Sequence, residues 1–176
     1  MAIRPIRYLG DPVLRQPSKK VRQVDDALRR LVDDMIESMY AAQGVGLAAP
    51  QIGVPLRVVV LGMPDEEPFA LINPVVMRAT GKRRCDGEGC LSVPGYRGGL
   101  WRSEKVVVRA MDINGKEIRV RAENNLLAEA LEHEVDHVNG ILYVDRLDSP
   151  ADLIKLDGTD WATAKPVARS EEARDG

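Results

Sequence analysis

Leu126-Leu127-Ala128-Glu129-Ala130-Leu131-Glu132-His133-Glu134-Val135-Asp136-His137-Val138 contains both histidines of the chain, four residues apart. In a helix, residues i and i+4 lie one above the other on the same face. Leu126, Ala130, His133 and His137 fall on one stripe, so the imidazoles continue a small apolar face and point inward. Two imidazoles in that geometry can grip one metal ion, and the Glu134 beside them can reach a water on it. The spacing therefore suggests metal-assisted hydrolysis, without naming the metal or the substrate. The plainer alternative is that Glu129, Glu132, Glu134 and Asp136 form an acidic, solvated face.

Working outward, Asn124 or Asn125 is a plausible N-cap for this helix and Gly140 a stop. Before it, Lys105–Met111 and Glu117–Val120 read as strands joined through Asn114-Gly115, a strong hairpin signal that expects positive φ at both turn positions. Residues 25–42 read as an amphipathic helix, with Leu28, Leu31, Val32, Met35, Ile36, Met39 and Tyr40 at helical spacing and Asp25-Asp26 at its start. It is expected to end near Gln43, because Gly44 follows. Leu56–Leu61 and Leu71–Met77 read as strands, the second weakened by Pro74. Residues 78–89 read as a loop, with Lys82-Arg83-Arg84 as a solvated cluster and Cys85 exposed. After Pro150 the pattern decays, and 151–176 is expected to be an irregular or poorly ordered tail. Strands with a helix among them, lacking regular βαβ alternation, predict an α+β fold: antiparallel or mixed sheets packed around the metal-binding helix, in one catalytic domain over 1–150.

The chain has 176 residues, 44% hydrophobic and 30% charged, with a net charge of −2. That composition suits a soluble globular protein and gives no electrostatic footprint for nucleic acid, where a basic face would be expected. No apolar run approaches a membrane span, and the N-terminus lacks a secretory h-region. Two cysteines make no disulfide framework, which fits a reducing cytoplasm.

Two histidines do not complete a catalytic metal site, which usually takes three protein ligands. Cys90, in Glu88-Gly89-Cys90-Leu91-Ser92, is a candidate third ligand. Its bland alternative is a small buried hydrophobe. Adding Cys85 would make a closed Cys2His2 module, although the long gap between Cys90 and His133 is unlike a zinc finger. A zinc endopeptidase is a further reading of the histidine spacing alone.

Three segments together, Gly44-Val45-Gly46-Leu47-Ala48-Ala49-Pro50-Gln51, Glu88 to Ser92 and His133 to His137, resemble the three signature motifs of the peptide deformylase family. They stand in the family's order and at similar spacing, and the resemblance runs from Asp11-Pro12-Val13-Leu14-Arg15 to Asn139-Gly140. It implies that Cys90, His133 and His137 bind one Fe(2+) per chain, with nickel, cobalt or zinc as substitutes. It also implies that Glu134 is the general base and acid, and that Gln51 and the N–H of Leu91 face the oxyanion. The backbones of Val45, Gly46 and Gly89 would hold the substrate as an added strand, and Leu126 and Ala130 would line an aliphatic pocket for methionine. Arg97 and Arg102 match arginine positions of the family, with Arg102 a structural partner for Asp136. The implied substrate is an N-formylmethionyl peptide, met transiently at the ribosome by a monomeric bacterial cytoplasmic enzyme.

Overall fold

The computed structural model describes residues 1–157 together with 165–166. Helix α1 (Asp26–Ala41) is capped by the Asp25 side chain, which accepts from the backbone N–H of Leu28 at 2.8 Å. Its apolar stripe buries Leu28, Val32, Met35 and Met39, whereas Tyr40 is exposed. The left-handed turn that ends it is made by Gln43 (φ 57°), one residue ahead of the glycine expected to do so. The run that follows has no helical period because it is a short strand, β1 (Gly46–Ala48), leading into a 3-10 turn over Ala49–Ile52.

Strands β2 (Val58–Leu61) and β3 (Phe69–Thr80) come next, then β4 (Arg83–Glu88), β5 (Tyr96–Arg102), β6 (Lys105–Met111) and β7 (Glu117–Glu123). Helix α2 (Leu126–Val138) is capped by Asn125, whose side chain accepts from Ala128 N–H. β8 (Leu153–Asp157) and β9 (Lys165–Pro166) complete the order. One antiparallel sheet runs β1-β2-β3-β6-β7 and the other β4-β5-β8-β9.

The five-stranded sheet is sandwiched between the two helices. Val59, Leu61, Leu71, Val106 and Val108 pack toward α2, against Leu131, Val135 and Val138. Val58, Val60, Ala70 and Ile72 face the other way, against Leu28, Val32, Met35 and Met39 of α1. Both faces of β2 are therefore dry, which is why its four residues read as an unbroken apolar run instead of an alternating one. The α+β architecture around a central helix is as expected.

Several local expectations are corrected. Residues 78–89 are not a loop, because β3 continues to Thr80 and β4 pairs with β5. Pairing across strands outweighs the charged composition there: Arg83 reaches Glu129, and Arg84 reaches Asp86, Asp148 and Asp152. Cys85 alternates to the opposite face from Arg84 and is buried. The hairpin between β6 and β7 is wider than a two-residue turn. Only Gly115 takes positive φ, and the Asp112 carboxylate accepts from the N–H groups of Asn114 and Lys116. Residues Leu153–Asp157, expected to be irregular, form a strand on β5. The rest of the expected tail, 158–164 and 167–176, lies outside the described residues.

Candidate metal centre

α2 delivers His133 and His137 one turn apart, and both are buried. Cys90 arrives from the segment after β4. The β4–β5 register shifts between Cys85 and Glu88. Such an irregularity re-aims side chains, and both Cys85 and Glu88 are buried although they stand three positions apart. Cys90 Sγ lies 3.2 Å from His137 Nε2, which in turn lies 3.2 Å from His133 Nε2. These three atoms lie within 4.8 Å of one another. A tetrahedral centre with metal–nitrogen bonds of ~2.0–2.1 Å and metal–sulfur bonds of ~2.3 Å has edges of ~3.3–3.6 Å, close to what is found. Three buried lone-pair donors facing one point fit a cation. Cys85 stands apart from this trio, its thiol grouped with Glu88 and Glu129. A closed Cys2His2 cage is not what these side chains form.

The imidazoles are held from behind. His133 Nδ1 lies 2.6 Å from Glu88 Oε1, which turns Nε2 toward Cys90 and His137. Glu88 also accepts from Arg102 through Nε at 2.9 Å and Nη2, while Arg102 Nη1 donates to Asp136 Oδ2 at 2.8 Å. The expected Arg102–Asp136 pairing is present. Arg146, not singled out in the sequence, grips the same Asp136 carboxylate with two bonds of 2.6 Å. Burial alone would raise the Glu88 carboxyl, but hydrogen bonds from His133 and Arg102 hold it down at about 2. Tyr143 stacks on His133 at 6.1 Å between ring centroids. It reaches that place because Gly98 of β5 has no side chain: a Cβ there would stand 2.8 Å from Tyr143.

Glu134 is buried rather than part of a solvated acidic face, as is Asp136, and Glu132 accepts from Ser103 N–H and Oγ–H. Burial pushes the Glu134 carboxyl up to about 7, opposed by His133 and Arg102 and aided by Glu88 and Asp136. A cation beside it favours the charged form in turn. β1 passes so close to Glu134 that a Cβ on Gly46 would collide with its carboxylate. Gln51, in the 3-10 turn, is buried: Oε1 accepts from Ala48 N–H at 2.9 Å and Nε2 donates to Ser92 Oγ at 3.1 Å. The same Nε2 lies 3.6 Å from Cys90 Sγ, so this amide is fixed at the edge of the trio.

A cavity of about 230 Å³ opens on these groups. Its walls include Val45, Gly46, Gln51, Gly89, Cys90, Leu91, Arg97, Leu126, Ala130, His133 and Glu134. Every residue expected to act at the site borders it except His137, which reaches the trio from behind. The sequence reading missed Glu88 as the partner of His133, along with Tyr143 and Arg146. The signal for Glu88 was its place two residues before Cys90, whereas nothing local marks the other two.

A family model described as polypeptide deformylase matches residues 3–152. A peptide deformylase of Dehalococcoides mccartyi is 48% identical over 157 residues, covering 89% of this chain and 93% of that protein. The crystal structure of a peptide deformylase from Legionella pneumophila superposes with a TM-score of 0.81 at 47% identity, covering 86% of this chain and 89% of that one. One from Synechococcus elongatus, in complex with actinonin, gives 0.79 at 44% identity, covering 84% and 80%.

Proposed function

Because the chain belongs to the peptide deformylase family, we propose that Cys90, His133 and His137 hold its metal, and that Glu134 moves the proton as the N-formyl group of an N-terminal methionine is hydrolysed to formate. The observation that carries this reading is the convergence of Sγ and two Nε2 atoms beside a buried carboxylate, on the wall of one cavity. When bound, a metal there supplies a Lewis acid that makes water nucleophilic near neutral pH.

The chain's own groups supply the rest. Glu134, with its carboxyl near 7, is suited to accept a proton from water and return it to the leaving amine. Gln51 Nε2 and the N–H of Leu91 serve the developing oxyanion, the removal of one such donor typically costing ~10²–10³ in rate. Among the described residues, Leu91 N–H donates to no backbone or side-chain acceptor, which keeps it available. β1 is an edge strand, so the backbones of Val45 and Gly46 can take a peptide as an added strand, with Gly89 opposite. Leu126 and Ala130 offer the methionine side chain an aliphatic wall.

The donor set by residue type suits zinc, but the family resemblance favours ferrous iron, which we assign, with nickel, cobalt or zinc as substitutes. We further assign the 1–150 segment as one catalytic unit, acting as a monomer in a bacterial cytoplasm on chains emerging at the ribosome. No helix among the described residues is long and apolar enough to cross a membrane. The test is formate release from a short formyl-Met peptide by anaerobically prepared, iron-loaded protein. Release that decays in air is expected, and no release would sink the reading.

A further inference from the structure

α1 packs on one face of the five-stranded sheet over β1 to β3; among the described residues no helix covers that face over the end of β3 or over β6 and β7. On β7 the inward residues Ile118, Val120 and Ala122 pack on the core, so Arg119 and Arg121 project outward. Arg119 stands directly across from Arg109 on β6, and Arg121 across from Val107, which is in turn paired with Arg78 on β3. Arg78, Arg119 and Arg121 are exposed and Arg109 is half-buried. Among the described residues none of the four arginines makes an ion pair or a side-chain hydrogen bond. The acidic residues of the same face sit at its ends: Glu123 is neutralised by Lys105 at 3.0 Å, and Glu117 stands across from Met111.

Like charges directly opposite on a sheet are destabilising. A chain of net charge −2 that places four arginines on three adjacent strands, with no ion-pair partner among the described residues, therefore carries a local cost. The ladder spaces guanidiniums ~5 Å apart between strands and ~7 Å along one. That is an array for a multivalent anion, not a pocket for a single one. Guanidinium groups match phosphates through two parallel hydrogen bonds. The patch has no aromatic residue on which bases could stack, so contact would be with the backbone and independent of sequence. We propose that Arg78, Arg109, Arg119 and Arg121 form a docking face for the phosphate backbone of RNA. The choice of RNA rests on the proposed function, since a newly made chain is presented on an RNA-rich particle. The face is built from β3, β6 and β7, not from the residues that line the catalytic cavity, so docking and catalysis can be separated.

The experiment measures binding of a mixed-sequence RNA duplex by fluorescence anisotropy across a salt series, for the full chain and two variants. With about four phosphate contacts, log K is expected to fall against log salt with a slope near −3 to −4. Arg119→Gln/Arg121→Gln should weaken binding at least tenfold at low salt and flatten the slope by roughly two. Lys82→Gln/Lys155→Gln removes the same charge from the turn ahead of β4 and from β8, and should leave both unchanged. The ladder variant should also sediment less with ribosomes while releasing formate from a free formyl-Met peptide at the wild-type rate. No RNA binding by the wild type, or an equal loss in both variants, overturns the proposal. So does ladder-dependent binding to anionic vesicles or an acidic peptide in place of RNA. Failure of the wild type to release formate would refute the deformylase reading alone, because RNA binding is read separately.

Discussion

Glu88 Oε1 lies 2.6 Å from His133 Nδ1, the carboxylate at the end of β4 and the imidazole in the middle of α2. This contact fixes which ring nitrogen faces Cys90 and His137, and Arg102 fixes Glu88. Glu88→Ala is expected to weaken metal affinity by ~10–100-fold. It also leaves Arg102 buried with half its partners, at ~3–5 kcal/mol of folding stability. Metal titration and urea unfolding check the two effects separately. Wild-type metal affinity in the variant would mean that His133 needs no orienting carboxylate.

The division of labour on α2 is separable. Glu134→Ala should retain metal and lose ~10²–10⁴ in turnover, because it removes the proton carrier and no ligand. His137→Ala should lose the metal itself. Metal analysis beside the formate assay distinguishes them, and equal metal content in both variants would contradict the assigned roles.

Gly46 is needed for closeness. A methyl group there meets the buried Glu134 carboxylate, which would have to shift from its place on the cavity wall. Gly46→Ala should fold with its metal bound but lose most of its activity. A fully active Gly46→Ala protein would show that β1 can move away from α2.

Cys85 is a packing residue. Burial, reinforced by Glu129, pushes its thiol up to about 12, so it holds its proton at neutral pH. Cys85→Ser should leave metal content and turnover unchanged, and Cys85 should resist alkylation in the folded protein. Loss of metal from this variant would revive the closed-site reading.

The N-terminal segment is tied to α1 through Asp34, which accepts from Ala2 N–H at 2.7 Å and from Arg4 at 3.0 and 2.8 Å. The Arg4 hydrogen bonds hold the Asp34 carboxyl below its usual 3.8, against the opposing effect of burial. A carboxyl lowered in the folded state contributes stability above its unfolded value and loses it as pH falls below that. Stability should therefore drop on acidification through pH 3.8 and below, and Asp34→Asn should be less stable at neutral pH and flatter on the acid side. Urea unfolding at several pH values measures this, and parallel curves for the two proteins would rule it out.

What could be read locally was what depends on neighbours in sequence. The i, i+4 spacing of His133 and His137, the Asp25 and Asn125 caps, and the apolar stripe of α1 follow from helix geometry alone, and the structure keeps them. Residue chemistry made Cys90 a candidate third ligand, but only likeness to a family singled it out, since no spacing ties it to α2. β4 (Arg83–Glu88) and β5 (Tyr96–Arg102) were illegible as strands because Asp86, Gly87, Gly98 and Gly99 have poor strand preference. They become strands when β4 and β5 pair and when Tyr143 packs over Gly98.

The sequence by itself determined the helix that carries both histidines, the kind of donor atoms it offers and the α+β class, because these rest on period and residue chemistry. Only the tertiary structure decided that Glu88 backs His133, that Cys85 stands apart from Cys90, His133 and His137, and that four arginines meet on one sheet face. Each of these is a contact between residues far apart in the chain. Burial, strand register and the absence of a side chain at Gly46 and Gly98 set such contacts, and all three exist only once the sheets and α2 have packed.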